Sequence, residues 1–248
     1  MIHRISGTVI HWEKLWRQLW FPTANVQISE GIISEWTYKI NIIFQWKVYS
    51  WAWSYLQKKW VFEAHIFDFS WNLYDETLEI ILLSKIRDNI KFTTLENLKK
   101  QIQADIDNCK NNIHYWITFW TFDHVHKWHE YYLQEARKYC DTLITIIARD
   151  SNVKKIKGDF PLYREDKRLE DIKNLQISDK VFLWHETNPM IWFEKYNISS
   201  VLIWYDQISY IEKLKEYNTS EKKSLEIIKI WSFQPETFKS SKLKKSQA

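Results

Sequence analysis

The side chains best suited to chemistry are gathered in TFWTFDHVHKWHEYYL, Thr118 to Leu133. The stretch leaves an apolar segment, passes Thr121, Phe122, Asp123, His126 and His129, and enters a run with helical spacing. This is the layout of a nucleotide-binding turn. The positive end of the helix faces an anion, and two imidazoles three residues apart at the helix start can donate to the same phosphates. An HxxH pair also suits a zinc site or two surface histidines, although only His114 and His124 offer a further ligand at suitable spacing. The difficulty is steric, because Trp120 and Trp128 stand where such a turn needs its smallest residues.

A second candidate is FPTANV. Pro22 fixes φ at a turn, and the Thr23 hydroxyl and Asn25 amide oxygen are hard neutral ligands that can hold Mg²⁺ without cancelling its attraction for ATP phosphates. Taken alone, PTAN reads equally well as a turn or cap. Glu63, in VFEAHIF, lies in a strand pattern where a solvent-facing residue is the default. Lys154, Lys155 and Lys157 read as a solvated basic face, and the KSSKLKK tail as a solvated end.

These groups need elements to hold them. Up to about residue 92 the chain is short β-branched and aromatic runs (TYKINIIF, KVYSWAW, VFEAHIFDF, LYDETLEIILLSKI), which predict an antiparallel barrel or sandwich. LENLKKQIQADI predicts a closing helix from Thr93 to about Cys109, and the polar NCKNNIHY predicts a boundary that divides domains 1–110 and 111–248. Beyond it ITF, HEYYLQEARKYC, DTLITIIARD, EDKRLEDIKNL, KVFL, MIWFEKYN and SVLIWYD alternate strand and helix, so a mostly parallel sheet is expected. Ligands of such sheets sit beyond the carboxyl ends of the strands, here Trp120 to His129, Arg149-Asp150, Leu183-Trp184 and Trp204 to Gln207.

Composition narrows the classes. Of 248 residues 45% are apolar and 27% charged, with no apolar run near the roughly 18 residues of a membrane span and no signal-peptide core at the start. A cytoplasmic protein is expected, with Cys109 and Cys140 as reduced thiols. The net charge of +4 suits phosphorylated ligands and does not require nucleic acid. Glycine is the anomaly: there are 3, where an average chain would have about 7%. Tryptophan numbers 16, and Trp36, Trp46, Trp71 and Trp184 fall in turn-like settings where glycine would supply positive φ. We read most of these tryptophans as glycines encoded by UGA, a codon that some bacterial lineages reassign to glycine. Trp192 fits a helix interior and is read as genuine, and Trp231 is undecided. The competing account is a tryptophan-rich protein that binds sugar or nucleic acid by stacking.

With glycine at Trp120 and Trp128 the first stretch becomes GTFDHVHKGH, which resembles the signature of nucleotidyltransferases such as glycerol-3-phosphate cytidylyltransferase and the archaeal-type FAD synthetases. ARDSNVKKIKG, with Arg149, Asp150 and Lys157, then Arg168, GYDQ at Trp204 to Gln207 with Asp206, and Ser240, Ser241 and Lys242 in FKSSKLKK follow in the same order as in those enzymes. ARD and GYDQ are more similar to the FAD synthetases, which implies ATP and FMN as substrates, nucleotide contacts from these residues, and His126 and His129 as catalytic. VIHGEKLGRQLGFPTANV, with glycine at Trp12, Trp16 and Trp20 around Arg17, resembles riboflavin kinase over about residues 5 to 107. That resemblance implies nucleotide binding by Trp16, Arg17 and Trp20, Mg²⁺ on Thr23 and Asn25, and Glu63 as catalytic base toward riboflavin. The chain departs from that family in lacking its second Pro-Thr pair and in placing the kinase first. The implied fold is a riboflavin kinase-like antiparallel β-barrel followed by a Rossmann-like α/β sheet. The implied function is synthesis of FMN and then FAD with Mg²⁺ and ATP, with no membrane or nucleic-acid partner. The alternatives are a kinase fused to a cytidylyltransferase for glycerol or polyol phosphate, and a catalytically dead flavin- or nucleotide-binding protein.

Overall fold

In β3 (Trp36–Phe44) and β6 (Thr77–Asp88), Tyr38, Ile40, Ile42 and Phe44, and Leu78, Ile80 and Leu82, recur at every second position and share one buried core. That period is the mark of strands with one face turned inward. The computed structural model describes residues 3–11, 23–28, 36–45, 47–56, 61–66, 73–188, 190–196, 198–204, 208–220 and 225–230. The chain divides into two units, Met1–Ile113 and His114–Ala248.

In the first unit β3 and β6 join β1 (His3–Ile10), β2 (Thr23–Ile28), β4 (Lys47–Leu56) and β5 (Val61–Ile66). All pairings are antiparallel in the order β1-β2-β5-β4-β3-β6, and β6 returns to β1, so the sheet closes on itself. Gly7 sits where β1 crosses β2 at close range: a Cβ there would lie 2.5 Å from the Gln27 carbonyl oxygen and 2.7 Å from Val26 Cγ1.

Helix α1 (Leu95–Asn111) begins at Thr94, whose hydroxyl accepts from the Asn97 N–H, and is fastened to the barrel by charge. Asp105, buried on the helix, takes a forked pair of hydrogen bonds from Arg87 of β6, with Nε and Nη2 at 2.9 and 2.7 Å. Lys39 of β3 is buried and donates to the carbonyls of Cys109 and Asn112 at 2.6 and 2.7 Å, satisfying two acceptors that a helix end leaves open. This clamp extends the helix to Asn111, through residues whose polarity had marked them as a boundary.

The second unit is a five-stranded parallel sheet. Its strands are β7 (Tyr115–Trp120), β8 (Thr142–Ile147), β9 (Lys180–Leu183), β10 (Ser200–Trp204) and β11 (Glu226–Ile230), in the order β11-β10-β7-β8-β9. Helices α2 (Lys127–Arg137), α3 (Asp150–Lys157), α4 (Glu165–Asn174), α5 (Ile191–Lys195) and α6 (Ile208–Ser220) connect them. Leu143 to Ile147 and Ser200 to Trp204 are continuously buried, as expected of strands covered on both faces. The chain runs from β7 to β8 and β9 on one side, then crosses back to β10 on the other. The strand order therefore reverses between β7 and β10, and sheets of this kind bind ligands at that point.

The strand and helix runs expected from the sequence do not include β1, β2, α3, α6 or β11. In α3 only Val153 is buried, so there is almost no apolar period to detect, and the element is ended by Gly158 in the left-handed conformation at φ 86°. Among the described residues no helix is long and apolar enough to cross a membrane.

The clamp on α1 carries a measurable share of the first unit's stability. Asp105→Ala strands Arg87 and is expected to lower unfolding free energy by about 3 kcal/mol in urea titrations. Glu96→Ala, which removes the exposed pair with Lys100, is expected to change it by less than about 0.5 kcal/mol.

Candidate active site

Strands β7 and β10 end in Trp120 and Trp204, whose rings stack with centroids 5.4 Å apart at the point where the strand order reverses. Trp128, in the first turn of α2, meets Trp204 edge-on at 4.3 Å. Tyr132, one turn further along, packs edge-on against Trp120 and Trp204, and its hydroxyl bonds to Thr118 and donates to the Leu202 carbonyl at 3.2 Å. The crevice in which a ligand of this sheet would sit thus contains three indoles, at the two positions of the histidine motif and the one of the WYDQ segment where the resemblance led us to expect glycine.

The histidine pair borders the same crevice. His126 is the N-cap residue of α2 in extended conformation without a side-chain capping bond, and His129 lies 4.2 Å from it, ring to ring. Both ring nitrogens of His126 and Nδ1 of His129 are buried with no hydrogen-bond partner. Buried polar atoms are normally paired, so unpartnered imidazole nitrogens at a helix N-terminus mark a place for an acceptor. Burial, with His124 adding to it, holds the His126 pKa below its usual value. Burial pushes His129 down to about 3, with His126 and His124 adding to the effect and Asp123 opposing it. Both rings are neutral donors at neutral pH. The turn before them holds two non-glycine residues in the left-handed region, Phe122 at φ 51° and His124 at φ 58°, a strain found most often at functional sites.

A polar network fixes the turn. The Asp123 carboxylate accepts from the Leu162 and Tyr163 N–H groups at 3.0 and 3.1 Å, and Lys157 Nζ donates to Thr121 Oγ1 at 3.3 Å. Arg168 has no exposed surface; its guanidinium bonds the carbonyls of Thr121, Ala148 and Tyr163 and the Asp150 carboxylate. Arg149 is engaged by Glu165 at 2.8 Å and by the Trp184 carbonyl at 2.8 Å. Asp150 and Arg168, expected at the nucleotide, are bonded in this structure to protein groups, Arg168 wholly buried and the Asp150 side chain 24% exposed, and through them they position the turns. Glu165, which also accepts from the Asp150 N–H, and Tyr132 were missed. Glu165 has a sequence signal in the acidic start of α4, whereas Tyr132 looks like any core aromatic of α2.

The glycine argument from positive φ fails at Trp36 and Trp184, while Trp46 and Trp71 lie outside the described residues. Among the described residues the left-handed non-glycine positions are Gln45, Asp75, Phe122, His124 and Gln176, none of them tryptophan. Trp36 is a strand residue paired with Asp88 and covered by Lys85, and Trp184 follows β9 and packs edge-on on Phe119. Space, not backbone conformation, is what distinguishes Trp120, Trp128 and Trp204. Trp192 lies in α5, as its pattern indicated.

In the first unit Asn25 is buried with Oδ1 unpartnered, the kind of atom a cation would satisfy. Glu63 occupies the β5 register position directly opposite it, and Thr23 opens β2. Trp16, Arg17, Trp20, Asp206, Ser240, Ser241 and Lys242 lie outside the described residues. Among those described, no group of three or more His, Cys, Asp or Glu side chains is placed to hold a metal.

The buried neutral His129 links stability to pH. An unfolded histidine takes its proton near pH 6.5, the folded one only near 3, so the unfolded state binds more protons between these values. Stability should be complete above about pH 6.5 and fall on acidification by up to about 1.4 kcal/mol per pH unit. His129→Gln should reduce the stability difference between about pH 7.5 and about pH 5 in urea titrations, and an unchanged difference would show that His129 is not held neutral.

Comparison with known proteins agrees with two units. The riboflavin kinase (flavokinase) profile matches residues 1–113, and the cytidylyltransferase-like profile matches residues 117–245. A bifunctional riboflavin kinase/FMN adenylyltransferase of Buchnera aphidicola subsp. Schizaphis graminum is 35% identical over 116 residues, 43% of this chain and 37% of that protein. The protein of the same name from Haemophilus influenzae is 31% identical over 44% of this chain and 38% of its own length. An FAD synthase of Thermoplasma acidophilum is 34% identical over 86 residues, 35% of this chain and 60% of that protein. The chain thus spans well under half the length of the bacterial relatives. The second profile covers more than half of the chain, and the chain belongs to the cytidylyltransferase-like family.

Proposed function

We propose that the chain is a bifunctional enzyme of flavin cofactor synthesis. Residues 1–110, a riboflavin kinase-like barrel, transfer the γ-phosphate of ATP to riboflavin, and residues 111–248, a Rossmann-like nucleotidyltransferase domain, transfer AMP from ATP to the resulting FMN. The observation that carries the reading is the set of buried, unpartnered imidazole nitrogens of His126 and His129 at the start of α2, beside the crevice between β7 and β10. The names of the bacterial relatives combine both activities, and that of the archaeal relative states the second.

In the second reaction an FMN phosphate oxygen attacks the α-phosphorus of ATP, and the bond to the bridging oxygen breaks to release pyrophosphate. His126 and His129 donate to the α- and β-phosphates as negative charge builds, together with the N–H groups of the first turn of α2. Lys157 and Thr121 extend the donor set, with Arg149 at the end of β8. Asp150 and Arg168 hold the turns in place, and the resemblance assigns both to the nucleotide side. The resemblance assigns Asp206, Ser240, Ser241 and Lys242 to the triphosphate side. In the first reaction Glu63 accepts the proton of the riboflavin 5′-hydroxyl as that oxygen attacks the γ-phosphorus, and Arg17 lies in the nucleotide loop. Thr23 and Asn25 would hold Mg²⁺, which when bound neutralises polyphosphate charge. All reactants are soluble, so the chemistry suits the cytoplasm and needs neither membrane nor nucleic acid.

This reading includes glycine, encoded by UGA, at most of the tryptophan positions. Trp120, Trp128 and Trp204 support it by meeting in one crevice: with glycine at all three, that volume opens to a nucleotide, and backbone N–H groups can approach its phosphates. Trp16 and Trp20 are read in the same way. The competing reading is a kinase joined to a cytidylyltransferase for glycerol or polyol phosphate, and the description of the matched family agrees with it only in the nucleotide, CTP.

Incubation of the glycine-containing protein with FMN, ATP and Mg²⁺ should yield FAD and pyrophosphate, while CTP with glycerol phosphate yields neither product; the reverse pattern would select the competing reading, and no turnover in either would indicate a binding protein. His126→Ala or His129→Ala should slow FAD formation by roughly 100-fold or more and spare the kinase, and Glu63→Ala should do the opposite.

A further inference from the structure

The last turn of α3 and the segment that joins it to α4 leave several large apolar side chains in solvent. Ile156, Phe160 and Leu162 are 68%, 60% and 61% exposed, and Tyr163 is 36% exposed. Such a group in one short stretch is uncommon on a protein surface that has no partner. The segment is nevertheless firmly held. Asp123 accepts from the N–H groups of Leu162 and Tyr163 at 3.0 and 3.1 Å, Arg168 Nε donates to the Tyr163 carbonyl at 2.9 Å, and the His124 ring stacks on Tyr163 with centroids 5.8 Å apart. Asp123 and His124 belong to the same turn that leads into the histidine pair, and the Arg168 guanidinium also holds the Thr121 carbonyl of that turn. The apolar surface and the phosphate-facing turn are therefore one assembly.

Charge runs along it as well. Lys154 Nζ lies 4.4 Å from the centroid of the Phe160 ring, and Lys157, one turn further along α3, reaches Thr121 Oγ1 at 3.3 Å. A ligand that matches this arrangement is flat and apolar at one end and anionic at the other.

We infer that Phe160, Leu162 and Tyr163 form the docking surface for the planar heteroaromatic ring of a phosphorylated acceptor, whose phosphate is directed to Lys157 and the histidine pair. This rests on the reading of the second unit as an adenylyltransferase, in which the acceptor is FMN and the ring is the isoalloxazine. A polyol phosphate has no ring and would make no use of the surface, so the same side chains select between acceptors of the two competing reactions. Aromatic and aliphatic side chains pack on a flat ring through dispersion and burial without needing a matched hydrogen-bond pattern, so exposed residues on a rigid segment suffice.

The test is the full-length glycine-containing chain compared with its Phe160→Ala/Leu162→Ala variant, both positions being exposed enough to change without loss of the core. FMN binding is followed by quenching of flavin fluorescence, KM values by FAD formation, and association state by sedimentation. The variant should raise KM for FMN by about 10-fold or more, leave KM for ATP and the rate of riboflavin phosphorylation unchanged, and lose the FMN-binding event that the kinase unit does not account for. If the parent forms no FAD but the variant still loses that binding event, the adenylyltransferase reading fails and the ring-docking surface stands. Equal FMN binding in parent and variant, or a change in association state without a change in FMN binding, would overturn the inference, the latter by showing the surface to be an interface between copies of the chain.

Discussion

A buried guanidinium holds the second unit's site together. Arg168 reaches from α4 to the carbonyl of Thr121 beyond β7, the carbonyl of Ala148 beyond β8, the carboxylate of Asp150 at the start of α3 and the carbonyl of Tyr163. Parallel strands end in loops that have no sheet partner of their own, and their carbonyls need donors. One planar fork with five N–H groups supplies several of them at fixed angles, which a lysine could not do. With Arg168 and Asp123 in place, the turn after β7 can keep Phe122 and His124 in left-handed conformations and present both ring nitrogens of His126 and Nδ1 of His129 unpartnered. The geometry of the site is thus set by residues that need not touch a ligand.

The same crevice explains the three indoles. A parallel sheet whose order reverses opens a gap between the two strands that diverge, here β7 and β10, and the residues at their carboxyl ends line it. Trp120 and Trp204 occupy those ends and Trp128 closes the third side, so the gap is filled by side chains stacked on one another. An enzyme that binds a nucleotide there needs the same three residues to be small.

Much of this was legible in the chain. The period-two runs located β3 to β6, and the strand-helix alternation located β7, β8 and β10 from their buried apolar runs and the short, half-buried β9 from its place between two helical runs. The histidine pair stood out by its place at the start of a helical run, where the structure puts it, but its spacing alone suited a metal site or a surface pair equally well. What escaped has a physical reason in each case. Helix α3 buries only Val153 and has no apolar stripe to read. The boundary segment stayed helical because Lys39, distant in sequence, caps it. The hydrogen-bond network that Arg168 makes from α4, with Asp150 as one of its acceptors, joins segments far apart in sequence, and no local pattern reveals it. The positive-φ explanation for the tryptophans failed at Trp36 and Trp184, which occupy ordinary backbone, while the crowding of Trp120, Trp128 and Trp204 depends on a strand order that no local pattern reveals.

The central claim is that glycine belongs at these three positions and that the crevice is open in the working protein. Tandem mass spectrometry of the chain isolated from its own organism reads those residues directly. Peptides spanning β7 to α2 and the end of β10 should carry glycine at positions 120, 128 and 204; tryptophan at those positions would leave the crevice filled and contradict the account.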